Sequence, residues 1–154
     1  MASTKWDALS PLQVGRYGEY YAKMEFASYG FEVYTSEVDD HGVDFVVKHP
    51  DGNTYYEVQV KTVRDWNKNP NIAKSKMKAL AQNRLVCLIH IVGNNSPKVY
   101  LIPATAWGNP SSGLLAGNDY INKKSSAEWT IRISKKYKTE LDLYEIEKII
   151  PNIK

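Results

Sequence analysis

Between positions 55 and 62 apolar and polar residues alternate, with Tyr56, Val58 and Val60 in one set and Tyr55, Glu57, Gln59 and Lys61 in the other. A strand sends successive side chains to opposite faces, so one face of this segment is predicted to be core and the other to carry polar groups inward. Upstream the period changes. From Leu12 to about Tyr29, Val14, Tyr17, Tyr21 and Met24 recur at helical spacing beside a second stripe of Gly15, Glu19, Ala22 and Phe26. Ser10-Pro11 supplies a capping residue and a first-turn proline, and Gly30 a C-terminal stop. Gly18, inside the helix, predicts close approach of another element.

Strands are predicted at 31–38, 43–48 and 54–62, the last two joined as a hairpin by His49-Pro50-Asp51-Gly52-Asn53. A polar loop at 64–70 leads to a predicted helix at 72–83, an apolar strand at 85–92 and a further strand at 98–102. The glycine- and serine-rich segment 109–117 reads as loop, 129–134 as a strand and 141–150 as a closing helix. Helix, three strands, helix and strand in that order predict an α/β fold with a mixed central sheet flanked by helices. A length of 154 residues suits one domain, with a core at about 12–103 and a strand-containing C-terminal extension at 104–154.

Composition, 43% hydrophobic and 24% charged, is that of a soluble globular protein, and no apolar run is long enough to span a membrane. The first residues lack the apolar core of a secretory signal, which predicts a cytoplasmic location. Cys87 is the single cysteine, which excludes an internal disulfide and a cysteine-based zinc cluster, and its neighbours Val86 and Leu88 make it a core residue. The net charge of +3 is small, but charge is unevenly spread. Residues 15–57 hold three cations against nine acids, whereas 61–84 hold Lys61, Arg64, Lys68, Lys74, Lys76, Lys78 and Arg84 against Asp65 alone. An acidic segment beside a basic one matches a metal site flanked by phosphate-binding surface, and equally two solvated faces.

Phosphodiester hydrolysis needs a divalent cation on oxygen ligands, an activated water and charge stabilisation at phosphorus. The hairpin places Asp44 across from the end of the third strand, near Gln59 and Lys61, with Glu57 on the same face and Glu19 reaching in from the first helix. Asp44, Glu57, Gln59 and Glu19 are oxygen donors suited to magnesium, with manganese as a substitute, and Lys61 can orient the attacking water.

The order of a helix with Glu19, then His41-Gly42-Val43-Asp44-Phe45, then Glu57-Val58-Gln59-Val60-Lys61-Thr62, then a basic helix and an apolar strand resembles the PD-(D/E)XK nuclease superfamily over roughly residues 12–103. The resemblance implies the restriction-endonuclease-like fold and magnesium-dependent cleavage of DNA. Asp44 then takes the role of the acid on the second strand and Glu19 that of the helix glutamate. The family's acid-x-lysine pair can be laid on Gln59-x-Lys61, with glutamine for the acid, or on Glu57-x-Gln59, with glutamine for the lysine. The first is preferred because it keeps the cation and is similar to the glutamine-x-lysine variant of Mrr-like restriction enzymes and some intron-encoded homing endonucleases. Glu57 then lies one strand repeat away, about 7 Å.

Arg64, Lys68, Lys74, Lys76 and Lys78 are the candidate DNA-phosphate contacts, and a catalytically inactive module that binds DNA or a protein partner is the alternative. His41, His49 and His90 have no metal-ligand spacing, and His90 reads as a core or edge histidine. Trp66 to Asn69 follow the polar strand directly, either as a DNA-contacting loop or as a solvent loop with one packed tryptophan. Tyrosines 17, 20, 21 and 29 on the first helix point to a subunit contact, and a homodimer suits double-strand cleavage.

Overall fold

The computed structural model describes residues 2–35, 37, 42–77, 79–110, 112–121 and 126–153. Helix α1, Pro11–Ser28, opens with a reciprocal cap: Ser10 Oγ accepts from the Gln13 backbone N–H at 3.2 Å, and Gln13 Oε1 accepts from the Ser10 backbone N–H at 2.8 Å. Its buried stripe is Val14, Gly18, Ala22 and Phe26, four residues apart, flanked by Tyr17 and Tyr21. Met24 lies outside that stripe and is exposed, as are Tyr20 and Leu12. The chain turns out of the helix at Gly30, whose φ of +86° costs an L side chain far more than glycine.

Five strands form the central sheet: β1 (Glu32–Thr35), β2 (Phe45–Lys48), β3 (Tyr55–Arg64), then, after the short β4 (Asn71–Ala73), β5 (Arg84–Ile91) and β6 (Lys98–Pro103). The spatial order is β1-β2-β3-β5-β6, antiparallel throughout except for the parallel β3–β5 pair. The predicted hairpin is present, with Phe45 opposite Val58 and Val47 opposite Tyr56. Every residue of β5 is buried, as its unbroken apolar run requires for a strand with neighbours on both edges and cover on both faces.

The two faces carry separate cores. On the α1 side, Phe26, Phe45, Val47, Val58, Cys87, Ile89 and Leu101 cluster together, and burial pushes the Cys87 thiol pKa upward. On the other side, Val63, Val86, Leu88, Tyr100 and Ile102 meet Ile72, Met77, Ile131 and Ile133. These last four belong to, or adjoin, a three-stranded antiparallel sheet in the order β4-β8-β7, with β7 at Leu115–Asn118 and β8 at Glu128–Ile131.

The predicted helix at 72–83 is therefore corrected to strand β4 followed by a 3-10 turn over Lys74–Lys76. Its buried apolar residues, Ile72 and Met77, are five apart and would not share a helix face, and Ala79 and Leu80 adopt positive φ, 54° and 56°, which ends any helix. A parallel pair needs a crossover. Here the crossover contributes a strand to the second sheet instead of a helix. The segment 109–117, expected as loop, likewise contributes its last residues to β7. The closing helix is broken into α2 (Lys138–Leu141) and α3 (Ile146–Ile149), joined and followed by 3-10 turns. Leu141 is anchored in one core and Ile146 and Ile150 in the other, so a straight helix cannot serve both. Among the described residues no helix is long and apolar enough to cross a membrane.

Gly18 does permit close approach. A Cβ there would stand 1.8 Å from Thr62 Oγ1 on β3, whereas one at Gly15 would meet nothing within 4 Å. Gly18→Ala is expected to destabilise by about 1–3 kcal/mol through overpacking. Gly15→Ala is expected to stabilise by about 1 kcal/mol through helix propensity. Paired urea denaturation curves check the opposite signs.

Candidate active site

The polar face of β3 lies on the side covered by the second sheet, and three side chains converge there. β2 stops pairing regularly at Asp44, whose backbone N–H still donates to the Val58 carbonyl at 2.9 Å. The Asp44 side chain turns back and its Oδ2 accepts from the Val60 N–H at 2.6 Å. This places the carboxylate beside Gln59, which continues the hairpin register. Gln59 is 8% exposed, and its Oε1 has no hydrogen-bond partner among the described residues. A buried amide oxygen left unpaired costs free energy on the order of 1–3 kcal/mol, so this oxygen is open to a water, a donor or a cation.

Lys61 is the next residue along this face and is half-buried. Burial lowers its ammonium pKa below the ordinary 10.5; Asp44 opposes that shift, Lys76 adds to it, and Glu128 opposes it again. Glu128 comes from β8 of the second sheet and also accepts from Tyr120 Oη at 3.1 Å. The sequence reading did not single it out, because no local pattern links a residue at 128 to one at 61.

Glu57 is on the same face, but its Oε2 is held by Arg84, which donates from Nη2 at 2.8 Å and from Nε at 3.2 Å. Arg84 stands abreast of Glu57 in the parallel register and is fully buried. A guanidinium without water must be paired, and its Nη1 also donates to the Lys76 carbonyl. The arginine thus ties the crossover to β3. The crossover in turn lies over the start of β2: Gly42, with φ +71°, leaves room for the Lys76 stem, whose Cβ would be 2.7 Å from a Cβ at that position. Arg84 was counted among the basic residues of a phosphate-binding surface, but it is internal. Its signal was an arginine opening an otherwise apolar strand.

Glu19 is on α1, against the opposite face of the sheet, and pairs with Lys23 at 3.5 Å and Arg16 at 4.0 Å. Among the described residues no three carboxylate, histidine or cysteine side chains come together as a metal cage. The donors at the point of convergence are the Asp44 carboxylate and the Gln59 amide oxygen, a hard-oxygen pair of the kind magnesium takes. Of the basic candidates, Lys68 and Lys76 are exposed. Arg64 pairs with Asp7. Lys74 bonds Asp119 at 2.7 Å and sits 4.0 Å from the centre of the Trp129 ring. Lys78 and His41 lie outside the described residues.

With this geometry in view, the chain can be set beside known proteins. Its backbone superposes on the solved structure of Archaeoglobus fulgidus Hjc, a Holliday junction resolvase from an archaeal hyperthermophile, with a TM-score of 0.52 and 13% identity over 89% of this chain and 95% of that one. The fold is restriction-endonuclease-like. The expected fold class therefore holds, with a strand and 3-10 turn in place of its second helix. No family model matches the chain, and no curated protein matches it.

Two stability measurements follow. Glu57→Gln leaves Arg84 buried without a counter-charge and is expected to cost about 3 kcal/mol in chemical denaturation. Lys61→Met keeps the aliphatic stem and removes a desolvated charge, so the melting temperature should rise by a few degrees at neutral pH. Because the folded-state pKa of Lys61 is depressed, its ammonium opposes folding at neutral pH, and this cost fades as pH climbs through the folded value toward 10.5. The advantage of Lys61→Met should shrink over the same range.

Proposed function

We propose that this chain is a metal-dependent DNA endonuclease that hydrolyses phosphodiester bonds. The observation that carries the reading is the buried Gln59 Oε1, without a hydrogen-bond partner among the described residues, beside the Asp44 carboxylate and the Lys61 ammonium, on a fold shared with a Holliday junction resolvase. Asp44 and Gln59 would hold magnesium or manganese, with Glu57 assisting from one strand repeat away while Arg84 fixes its carboxylate. When bound, the cation supplies Lewis acidity at phosphorus and a more acidic water.

Lys61 orients the attacking water through its ammonium and balances negative charge building on the phosphate oxygens. Its half-burial strengthens both effects, because the surrounding dielectric is lower than water. Asp44 keeps Lys61 protonated and receives its own orientation from the Val60 N–H. Glu19 joins the set only by the resemblance: α1 lies against the other face of the sheet, and the carboxylate is engaged by Lys23 and Arg16. Arg64, Lys68, Lys74, Lys76 and Lys78 contact the DNA backbone, with Lys68 and Lys76 the most available. A homodimer through the outer stripe of α1, where Leu12, Tyr20 and Met24 are exposed, would bring two sites to the two strands of a duplex.

A second reading is a binding module with this fold, and the engagement of Glu57 by Arg84 favours it, because it takes one acid away from metal ligation. Cleavage assays on supercoiled, linear duplex and four-way junction DNA with magnesium or manganese separate the two; the junction is included because a resolvase shares the fold. Lys61→Ala should reduce cleavage at least a hundredfold while leaving DNA affinity within a few-fold. Gln59→Glu should raise activity if glutamine stands in the acid's place, whereas a gain in Gln59→Lys would assign the other register. DNA binding without cleavage of any substrate by the wild-type chain would establish the module instead.

A further inference from the structure

On one side β3 runs on past its partner. β2 pairs with it only from Tyr55 to Val58, and the Asp44 carboxylate takes the next N–H on that edge, that of Val60. Backbone groups of successive residues point to opposite edges of a strand. The N–H groups of Glu57 and Asp65 donate to the Asn83 and Ile91 carbonyls at 2.8 and 2.7 Å, so the odd-numbered residues address the β5 side and the even-numbered ones the other. Thr62 and Arg64 therefore turn their N–H groups outward, to an edge with no strand beside it among the described residues.

Two hollows meet along this edge. One, of about 320 Å³, is lined by Thr62, Val63 and Arg64 and by the chain at 68–70. The other, of about 200 Å³, lies between Thr62 and Arg64 on one side and Leu9, Pro11 and Val14 on the other. Successive strand residues point to opposite faces, so a space touching three in a row runs along the strand's edge. Lys68 is exposed there on a fixed backbone: the Asn67 and Lys68 N–H groups donate to the Ile133 carbonyl at 2.6 and 3.2 Å, and the Ile133 N–H donates back to the Lys68 carbonyl at 2.8 Å.

Arg64 borders both hollows, and its guanidinium donates to Asp7. Asp7 belongs to a 3-10 turn over Trp6–Ala8. Trp6 is 1% exposed and meets the Tyr17 ring edge-on with centroids 4.7 Å apart, which anchors the turn. The Asp7 side chain, by contrast, is 90% exposed. Rotation of that one side chain releases Arg64 while the turn stays in place.

A guanidinium, a lysine on a fixed backbone and outward N–H groups are the donors that phosphodiester oxygens take, and a guanidinium binds phosphate through two parallel hydrogen bonds. An exposed ion pair is weak enough to be displaced by such a group. We propose that Asp7 occupies Arg64 in place of a DNA phosphate, and that DNA displaces the carboxylate to seat a phosphodiester along the outer edge of β3, next to the one at Lys61. The inference rests on the nuclease reading and adds regulation to it. The N-terminal turn is a brake on DNA binding, since each complex must first break the Asp7–Arg64 pair.

The test is a double-mutant cycle of Asp7→Asn, Arg64→Ala and the two combined in the full chain, with thermal melting to check folding. Affinity for a fluorescently labelled linear duplex is read by anisotropy at several salt concentrations, with EDTA present so that no strand is cut. Asp7→Asn should bind DNA about two- to fivefold more tightly than the wild type, the scale of an exposed ion pair. That gain should shrink as salt rises. Arg64→Ala should bind more weakly and lower the salt dependence by about one phosphate contact. In the Arg64→Ala background Asp7→Asn should add nothing, because the brake then has no guanidinium to hold. The proposal is overturned if Asp7→Asn binds as the wild type does or more weakly, or if its gain persists without Arg64, which would make it a general effect of removing a negative charge. DNA binding without coupling between the two positions ends this inference and leaves the nuclease reading standing. No DNA binding by any of the four proteins ends both.

Discussion

A strand with hydrogen-bonded neighbours on both edges has its backbone satisfied, so its fate rests on what covers its two faces. In β3 one face, Tyr56, Val58 and Val60, is apolar and closes against α1, at a separation so small that only glycine fits at position 18. The other face, Glu57, Gln59 and Lys61, is covered by the second sheet while still carrying polar groups. Burying such groups is unfavourable unless each finds a partner. Most of the local architecture answers that constraint. Arg84 meets Glu57, Asp44 meets the Val60 N–H and stands near Lys61, and on this strand Gln59 Oε1 is left without a partner among the described residues.

The same constraint explains the unusual crossover. A helix between β3 and β5 would have covered the polar face with one amphipathic stripe. The chain instead runs through β4, lays the Lys76 stem on Gly42 and offers the Lys76 carbonyl to Arg84. Those contacts join the start of β2, the middle of β3 and the start of β5 around one point. They also let β8 bring Glu128 into the electrostatic surroundings of Lys61. The site is therefore assembled from four separate segments, and its charges are balanced pairwise more than concentrated.

Much of this was legible in local pattern. Period-two alternation located β3 and sorted its side chains correctly, since pleating leaves no freedom about which residues share a face. The turn at 49–53 set the hairpin and hence the meeting of Asp44 with Gln59. The caps at Ser10 and Gly30 bounded α1. The segment 72–83 misled because lysines, alanines and a methionine have good helix propensity, and propensity is a weak prior against a sheet edge that offers Ile72 a buried partner. Arg84 misled for a related reason, because an arginine counted by charge looks like surface.

By itself the sequence determined the elements whose physics is local: the capped helix, the alternating strand, the hairpin register and the apolar β5. These depend on backbone geometry and on side chains a few positions apart. Only the tertiary structure decided which polar groups neutralise one another. Glu57 with Arg84 and His90 with the Asp65 carbonyl are pairings, and Lys61 lies within the electrostatic influence of Asp44 and Glu128, all across distances in the chain that no periodicity encodes. They were settled by which faces had to be covered and by the high cost of leaving a charge or a hydrogen-bonding group alone out of water.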